Sequence, residues 1–168
     1  YASFVQPSDG DGHKGVIVDL SIKKAQNTGV TGYDIIKNVE NVTGSTYNDT
    51  LTGNAFSNVL DGGAGADVLS GGAADDTLIG GLGADTLTGG DGIDIFRFTS
   101  IDAVDTIADF AVGTDNIQLE NSVFTALKTG GQLADSWFNS SIDGSQGGGL
   151  AVILYNSTDG GLWYDADA

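Results

Sequence analysis

One oxygen-bearing side chain recurs every nine residues through the middle of this sequence: Asp49, Asn58, Asp67, Asp76, Asp85 and Asp94. No imidazole or thiol accompanies them between residues 44 and 97. Evenly spaced carboxylates suit the holding of hard cations, which take oxygen ligands. They do not suit glycoside hydrolysis, which needs one differentiated acid pair in a sugar-binding cleft.

The residues around them repeat as well. Aligned from Gly44, six consecutive units read GSTYNDTLT, GNAFSNVLD, GGAGADVLS, GGAADDTLI, GGLGADTLT and GGDGIDIFR, ending at Arg97. Each opens with glycine and carries a large apolar residue eighth: Leu51, Leu60, Leu69, Leu78, Leu87 and Phe96. Self-similarity at a short period marks a solenoid, in which a unit buries its apolar residue only by stacking on its neighbours. The pattern predicts a Gly-rich turn of six residues and then a strand of three, the eighth residue pointing inward and its neighbours outward. If two units make one turn of a flattened coil, units starting at 44, 62 and 80 stack on one side and those starting at 53, 71 and 89 on the other. Two parallel sheets then face each other across the leucines.

Stacked strands lie ~4.8 Å apart, so successive carboxylates should repel at a similar spacing. At an effective dielectric of about 20 the cost is ~3.5 kcal/mol per pair. Calcium, with six to eight oxygens at ~2.3–2.6 Å, reaches two loops at once, whereas magnesium demands shorter octahedral contacts and zinc prefers thiolate and imidazole. The glycines leave room for backbone carbonyls to approach the ion.

The pattern Gly-Gly-x-Gly-x-Asp-x-apolar-x resembles that of RTX proteins, calcium-binding β-rolls of exported bacterial proteins. Units 62–70, 80–88 and 89–97 fit every defining position, unit 71–79 has Ala74 for the fourth glycine, and the first two units are degenerate. The lead-in NVENVTGSTYNDTLTGNAFSNVL is similar to that of serralysin-type proteins. The resemblance implies an all-β, right-handed parallel β-roll with a β-rich C-terminal cap. It also implies that carbonyls of the first four positions join the sixth side chain as calcium ligands. Those residues are Gly62, Gly63, Ala64 and Gly65 with Asp67; Gly71, Gly72, Ala73 and Ala74 with Asp76; Gly80, Gly81, Leu82 and Gly83 with Asp85; and Gly89, Gly90, Asp91 and Gly92 with Asp94. In the degenerate units the same places fall to Ser45, Tyr47 and Asp49, and to Asn54, Phe56 and Asn58. There Tyr47 and Phe56 replace the fourth glycine, and weaker binding is expected.

The flanks divide the chain into a lead-in at 1–43, the roll at 44–97 and a capping segment at 98–168, expected to fold as one cooperative unit. Val16 to Leu20 reads as a strand. Counting back nine from Gly44 places Glu40 sixth and Val42 eighth in a degenerate rung. After Arg97, DTIADF and DNIQL read as further short elements, 121–138 as a short helix, and AVILYNSTDGGLWYD as a hairpin. Phe96, Phe98, Phe110, Trp137, Phe138, Trp163 and Tyr164 supply the bulk of a cap that blocks edge pairing. Asp105 and Asp109 read as exposed turn carboxylates in preference to a further calcium site. Asp9 and Asp11 do not make a complete EF-hand, since His13 stands at the third ligand position, and His13 reads as a solvated side chain.

With 23 acidic and six basic residues the formal charge is −17. Such a surface repels nucleic acid and anionic lipid; about five calcium ions, at two charges each, would offset about ten of those charges. Gly and Asp also suit an acidic disordered linker, a description that fits the calcium-free chain better than the in-register apolar columns. The sequence has no cysteine, no run apolar enough to span a bilayer and no visible amino-terminal signal, and it opens on Tyr1, as a processed or excised piece would. No nucleophile elbow, P-loop or dinucleotide fingerprint is present, so a non-enzymatic module is expected. The RTX resemblance implies a secreted or surface protein exported by a type I secretion apparatus, folding on calcium outside the cell. Two alternatives are a polysaccharide- or surface-binding module using exposed aromatics, and ice binding through the outward row Thr50, Thr52, Val68, Ser70, Thr86 and Thr88.

Overall fold

A computed structural model describes residues 2–3, 15–28, 33–100, 102–111, 113–120, 138–139, 152–155 and 162–165. Among them there is no helix, and the strands of the central part pair in parallel. Asp9, Asp11, His13 and the helix expected within 121–138 lie outside the described residues, apart from a two-residue strand at its end.

Along the chain run β1 (Ala2–Ser3), β2 (Ile17–Asp19), β3 (Gln26–Asn27), β4 (Tyr33–Asp34), β5 (Asn41–Thr43), β6 (Thr50–Thr52), β7 (Val59–Ala64), β8 (Val68–Ala73), β9 (Thr77–Leu82), β10 (Thr86–Asp91), β11 (Ile95–Phe98), β12 (Thr106–Ile107) and β13 (Asn116–Leu119). Beyond these are β14 (Phe138–Asn139), β15 (Val152–Tyr155) and β16 (Leu162–Asp165). Alternate units fall on opposite sheets, as the period requires: one sheet has the order β1-β5-β7-β9-β11-β13 and the other β12-β10-β8-β6-β2. The degenerate rung at Val42 is present as β5, paired with β7, and the strand near Val18 pairs with β6.

The register stacks like on like. Val18, Leu51, Leu69, Leu87 and Ile107 form one inward column, and Val42, Leu60, Leu78, Phe96 and Ile117 the other. All but Ile117 are at most 2% exposed. Burying one such side chain stabilises by about 1.5–3 kcal/mol, which only the neighbouring rungs make possible. Outward, Thr50, Val68 and Thr86 fall in one row and Thr52, Ser70 and Thr88 in the next.

The strands are longer than the sequence suggested. β7 to β10 each have six residues and continue through the first three positions of the following unit, leaving a turn of only three. The reason is parity: the first residue of a unit lies two places beyond the eighth of the unit before, on the same inward face, where glycine can sit. Phe110 packs its ring 6.0 Å from that of Phe96, and Phe98 is buried as well. At the far end β15 and β16 form the expected antiparallel hairpin, with Ile153 opposite Tyr164, and β14 joins it in parallel. The side chains of residues 137, 138, 163 and 164 that the cap expectation used are not among those described.

Candidate metal centre

Sixth, eighth and next first positions are two residues apart, so all three face inward along an extended segment. Asp67, Leu69 and Gly71 are buried together, as are Asp85, Leu87 and Gly89. The sheets thereby place Asp49, Asn58, Asp67, Asp76, Asp85 and Asp94 inside the roll, each at most 2% exposed.

One oxygen of each later carboxylate is satisfied by backbone from the turn before. Asp67 Oδ1 accepts the N–H of Asp49 at 2.7 Å, Asp85 Oδ1 that of Asp67 at 2.9 Å and Asp105 Oδ1 that of Asp85 at 2.9 Å. On the other sheet Asp76 Oδ1 takes the N–H of Asn58 at 2.7 Å, Asp94 Oδ1 that of Asp76 at 2.9 Å and Asp115 Oδ1 that of Asp94 at 3.1 Å. The second oxygen is different. Oδ2 of Asp67, Asp76, Asp85 and Asp94 is buried without a hydrogen-bond partner. A buried charged oxygen in that state is costly unless something positive reaches it.

The space in front of these oxygens is lined by a second one. A Cβ added to Gly62 would run into Asp67 Oδ2 and stand 2.7 Å from the carbonyl oxygen of Gly80; at Gly71 the pair is Asp76 Oδ2 and, at 2.7 Å, the Gly89 carbonyl. The first glycine is therefore required by room rather than by backbone angle. The fourth position is the reverse case: Gly83 has φ 112°, and Ala74 is held at φ 69°, in the left-handed region that disfavours a side chain.

The remaining implied ligands separate by what their carbonyls do. Those of Ser45, Asn54 and Leu82 accept turn-to-turn bonds from Ala64, Ala73 and Gly65 at 3.2, 3.0 and 2.8 Å. The Phe56 and Asp91 side chains are exposed and Tyr47 is half-buried. Among the described residues no three acidic or imidazole side chains converge. A cation here would draw on one carboxylate per turn and on backbone carbonyls, a donor set of hard oxygens that fits calcium.

In the degenerate units protein groups fill the same place. Asp49 Oδ1 accepts from the Val16 N–H at 2.6 Å and from Ser45 Oγ at 2.9 Å, while its Oδ2 accepts the Ser45 N–H. Asn58 Oδ1 takes the Asn54 N–H at 2.8 Å, and its Nδ2 donates to the Glu40 carbonyl at 3.0 Å.

Burial above all holds the later carboxyls protonated to unusually high pH: Asp67 and Asp85 are pushed up to about 7 and Asp76 and Asp105 to about 6, with Asp94 raised as well. Backbone N–H bonds oppose the shift, and neighbouring carboxylates add to it. Desolvation outweighs the carboxylate repulsion expected from spacing alone.

Asp105 corrects one expectation. It is 7% exposed and stands in the column directly after Asp85, because β12 pairs with β10 in register. Asp109 is exposed, yet its two oxygens accept the N–H groups of Gly89 and Gly90, both at 2.9 Å. Asp115, which the nine-residue frame missed, also accepts the Ala111 N–H at 2.8 Å. A signal was present: the triplets Asp105-Thr106-Ile107 and Asp115-Asn116-Ile117 repeat the sixth-to-eighth pattern after the frame has slipped.

No curated protein matches the chain. Residues 43–78 and 62–96 match the family of the RTX calcium-binding nonapeptide repeat. Residues 43–96 of this chain are thus a run of RTX calcium-binding repeats, and this part of the protein is a calcium-binding module.

Proposed function

We propose that calcium is the folding switch of this module, which serves a larger secreted or surface protein and carries no catalysis of its own. The observation that supports it is the set of four buried, unpartnered Oδ2 atoms on Asp67, Asp76, Asp85 and Asp94. At low intracellular calcium these carboxylates disfavour the closed roll, and the chain passes unfolded through a type I secretion channel. Outside, calcium supplies the missing positive charge, and its binding free energy becomes folding free energy. Several ions are held, by Asp67, Asp76, Asp85 and Asp94 together with first-position carbonyls such as those of Gly80 and Gly89. Circular dichroism at about pH 8, above the raised carboxyl pKa values, tests this with and without chelator: β-signal and melting temperature should collapse on chelation and return with calcium. A chelated chain that keeps both at that pH would remove the switch.

A second reading, that the module also binds a polysaccharide, is favoured by a groove of about 680 Å³ beside the first turns, lined by Glu40 as well as by lysines. Leu20, Ile36 and Val39 line it with Phe56, which is 68% exposed, and Lys23 and Lys37 flank it. The ion pair among the described residues is Arg97 with Glu120 at 2.7 Å, so these lysines pair with no described acid despite the excess of acids. Its size suits a small ligand or a polymer segment. Polygalacturonate should bind the calcium-loaded chain and lose binding in the Lys23→Glu, Lys37→Glu double variant. Equal binding by both chains would remove this reading.

A further inference from the structure

The last unit that resembles the repeat on the β10 sheet ends in an incomplete place. Asp85 is 2% exposed and its Oδ2 has no hydrogen-bond partner, yet no further Gly-Gly loop comes after it on that side. The chain continues instead into the segment 98–105, FTSIDAVD, which contains no glycine and lies beyond the matched repeats.

The strand that follows is nevertheless placed as in a repeat. Thr106 and Ile107 pair with Thr86 and Leu87, as Thr86 and Leu87 pair with Val68 and Leu69. Asp105 therefore stands to Asp85 as Asp85 stands to Asp67, with the same bond to the preceding sixth-position amide, 2.9 Å in both cases. It takes 20 residues rather than 18 to reach this place, which hides it from the period. Asp105 is itself 7% exposed, so both carboxyl groups are buried in one column. Two buried carboxylates stacked in one column, one of them with an unpartnered oxygen, need a proton or a cation beside them.

We propose that Asp85 and Asp105 together bind one calcium ion beyond those held between recognisable repeats, closing the end of the β10 column. Asp105 is then a ligand and not merely part of a cover. The inference rests on the calcium reading of the roll, and its failure is separable from the failure of that reading.

The test is the number of ions per chain, measured by equilibrium dialysis or native mass spectrometry on the full chain. Asp105→Asn keeps an oxygen for the Asp85 amide and should lower the count by one at calcium concentrations that saturate the wild type, with β-signal retained. Asp102→Asn, a change at the exposed acid that accepts the Gly83 N–H, should leave the count unchanged. A wild-type count of zero removes the calcium reading. A loss of ions in Asp67→Asn but none in folded Asp105→Asn removes this proposal alone. Should Asp105→Asn not fold, the wild type decides: replacing a small fraction of calcium by gadolinium should broaden the Asp105 carboxyl carbon resonance as it does that of Asp67. An Asp105 signal as sharp as before gadolinium would overturn the assignment.

Discussion

The first two units and the four after them share a backbone path and an apolar column but solve the sixth position in opposite ways. In units 44–61 the side chain is closed by protein: Ser45 and Val16 take up Asp49, and Asn54 and Glu40 take up Asn58. In units 62–97 a carboxylate oxygen is left facing the first glycine with nothing bonded to it. The difference teaches that the demand for an ion is local to the later units and is not made by the backbone path they share with the first two. What calls for it is a carboxylate in a unit whose Gly-Gly start offers no hydroxyl, such as that of Ser45, to donate to it. The hydroxyl of Ser45 donates to Asp49, and the neutral Asn58 takes the Asn54 backbone N–H, so neither rung leaves such an oxygen buried alone.

The largest effect should appear when calcium is withdrawn. Hydrogen exchange resolved by segment should then show protection lost first and most in β8 to β11, with β5 to β7 retaining more of it. Equal loss in both regions would mean that the self-satisfied units confer no independence, as tight cooperativity between rungs would also require.

Acid should partly replace calcium in the later units and not in the earlier ones. The folded-state pKa values of Asp67, Asp76 and Asp85, about 7, 6 and 7, lie above the ordinary 3.8. The folded form therefore binds more protons than the unfolded form, so this contribution is fully present below pH 3.8 and is lost as pH rises through about 6 to 7. In chelator, the β-signal should survive at about pH 4.5 and fall by about pH 8. With calcium present, acidification should raise the calcium midpoint, because protons compete for the same oxygens. A chelated chain more stable at about pH 8 than at about pH 4.5 would reverse the sign and contradict the buried, unpartnered state.

Exchanging single side chains sharpens the comparison further. Asp76→Ala should shift the calcium midpoint of folding by about tenfold or more, an effect of about 1.4 kcal/mol or above. Asn58→Ala should shift it by less than about threefold and show its cost, about 1–3 kcal/mol, mainly in thermal stability at saturating calcium. Calcium titrations followed by circular dichroism rank the two; Asn58→Ala having the larger midpoint shift would exchange the roles of the two regions.

The smallest expected effect lies at Ala74. Replacing it with glycine relieves a left-handed φ of 69° at a position where the fully matching units have glycine. Stability in calcium should rise by about 0.5–1 kcal/mol, the side-chain penalty being offset in part by glycine's greater unfolded-state freedom. A lower melting temperature would show that the alanine methyl contributes packing that outweighs its strain.

Period, parity and the identity of the eighth residue were enough to place Leu51, Leu69 and Leu87 on one sheet and Leu60, Leu78 and Phe96 on the other. Each such assignment depends only on alternation within a few residues and on a repeat length that is constant. The unequal state of the sixth positions was half visible, in Tyr47, Phe56 and Asn58, as a departure from the pattern. Which groups close them was not, because the partners are not at a fixed spacing: the Val16 amide reaches Asp49 across 33 residues and Asp105 reaches the Asp85 amide across 20. Those distances depend on how the chain outside the repeats returns to the roll, and no local pattern records them. The sequence by itself therefore determined the rungs, the two columns and the kind of ion that oxygen ligands at this spacing suit. Only the folded chain decided which carboxylate oxygens remain without a partner, since a hydrogen bond between neighbouring turns exists only after both turns are stacked.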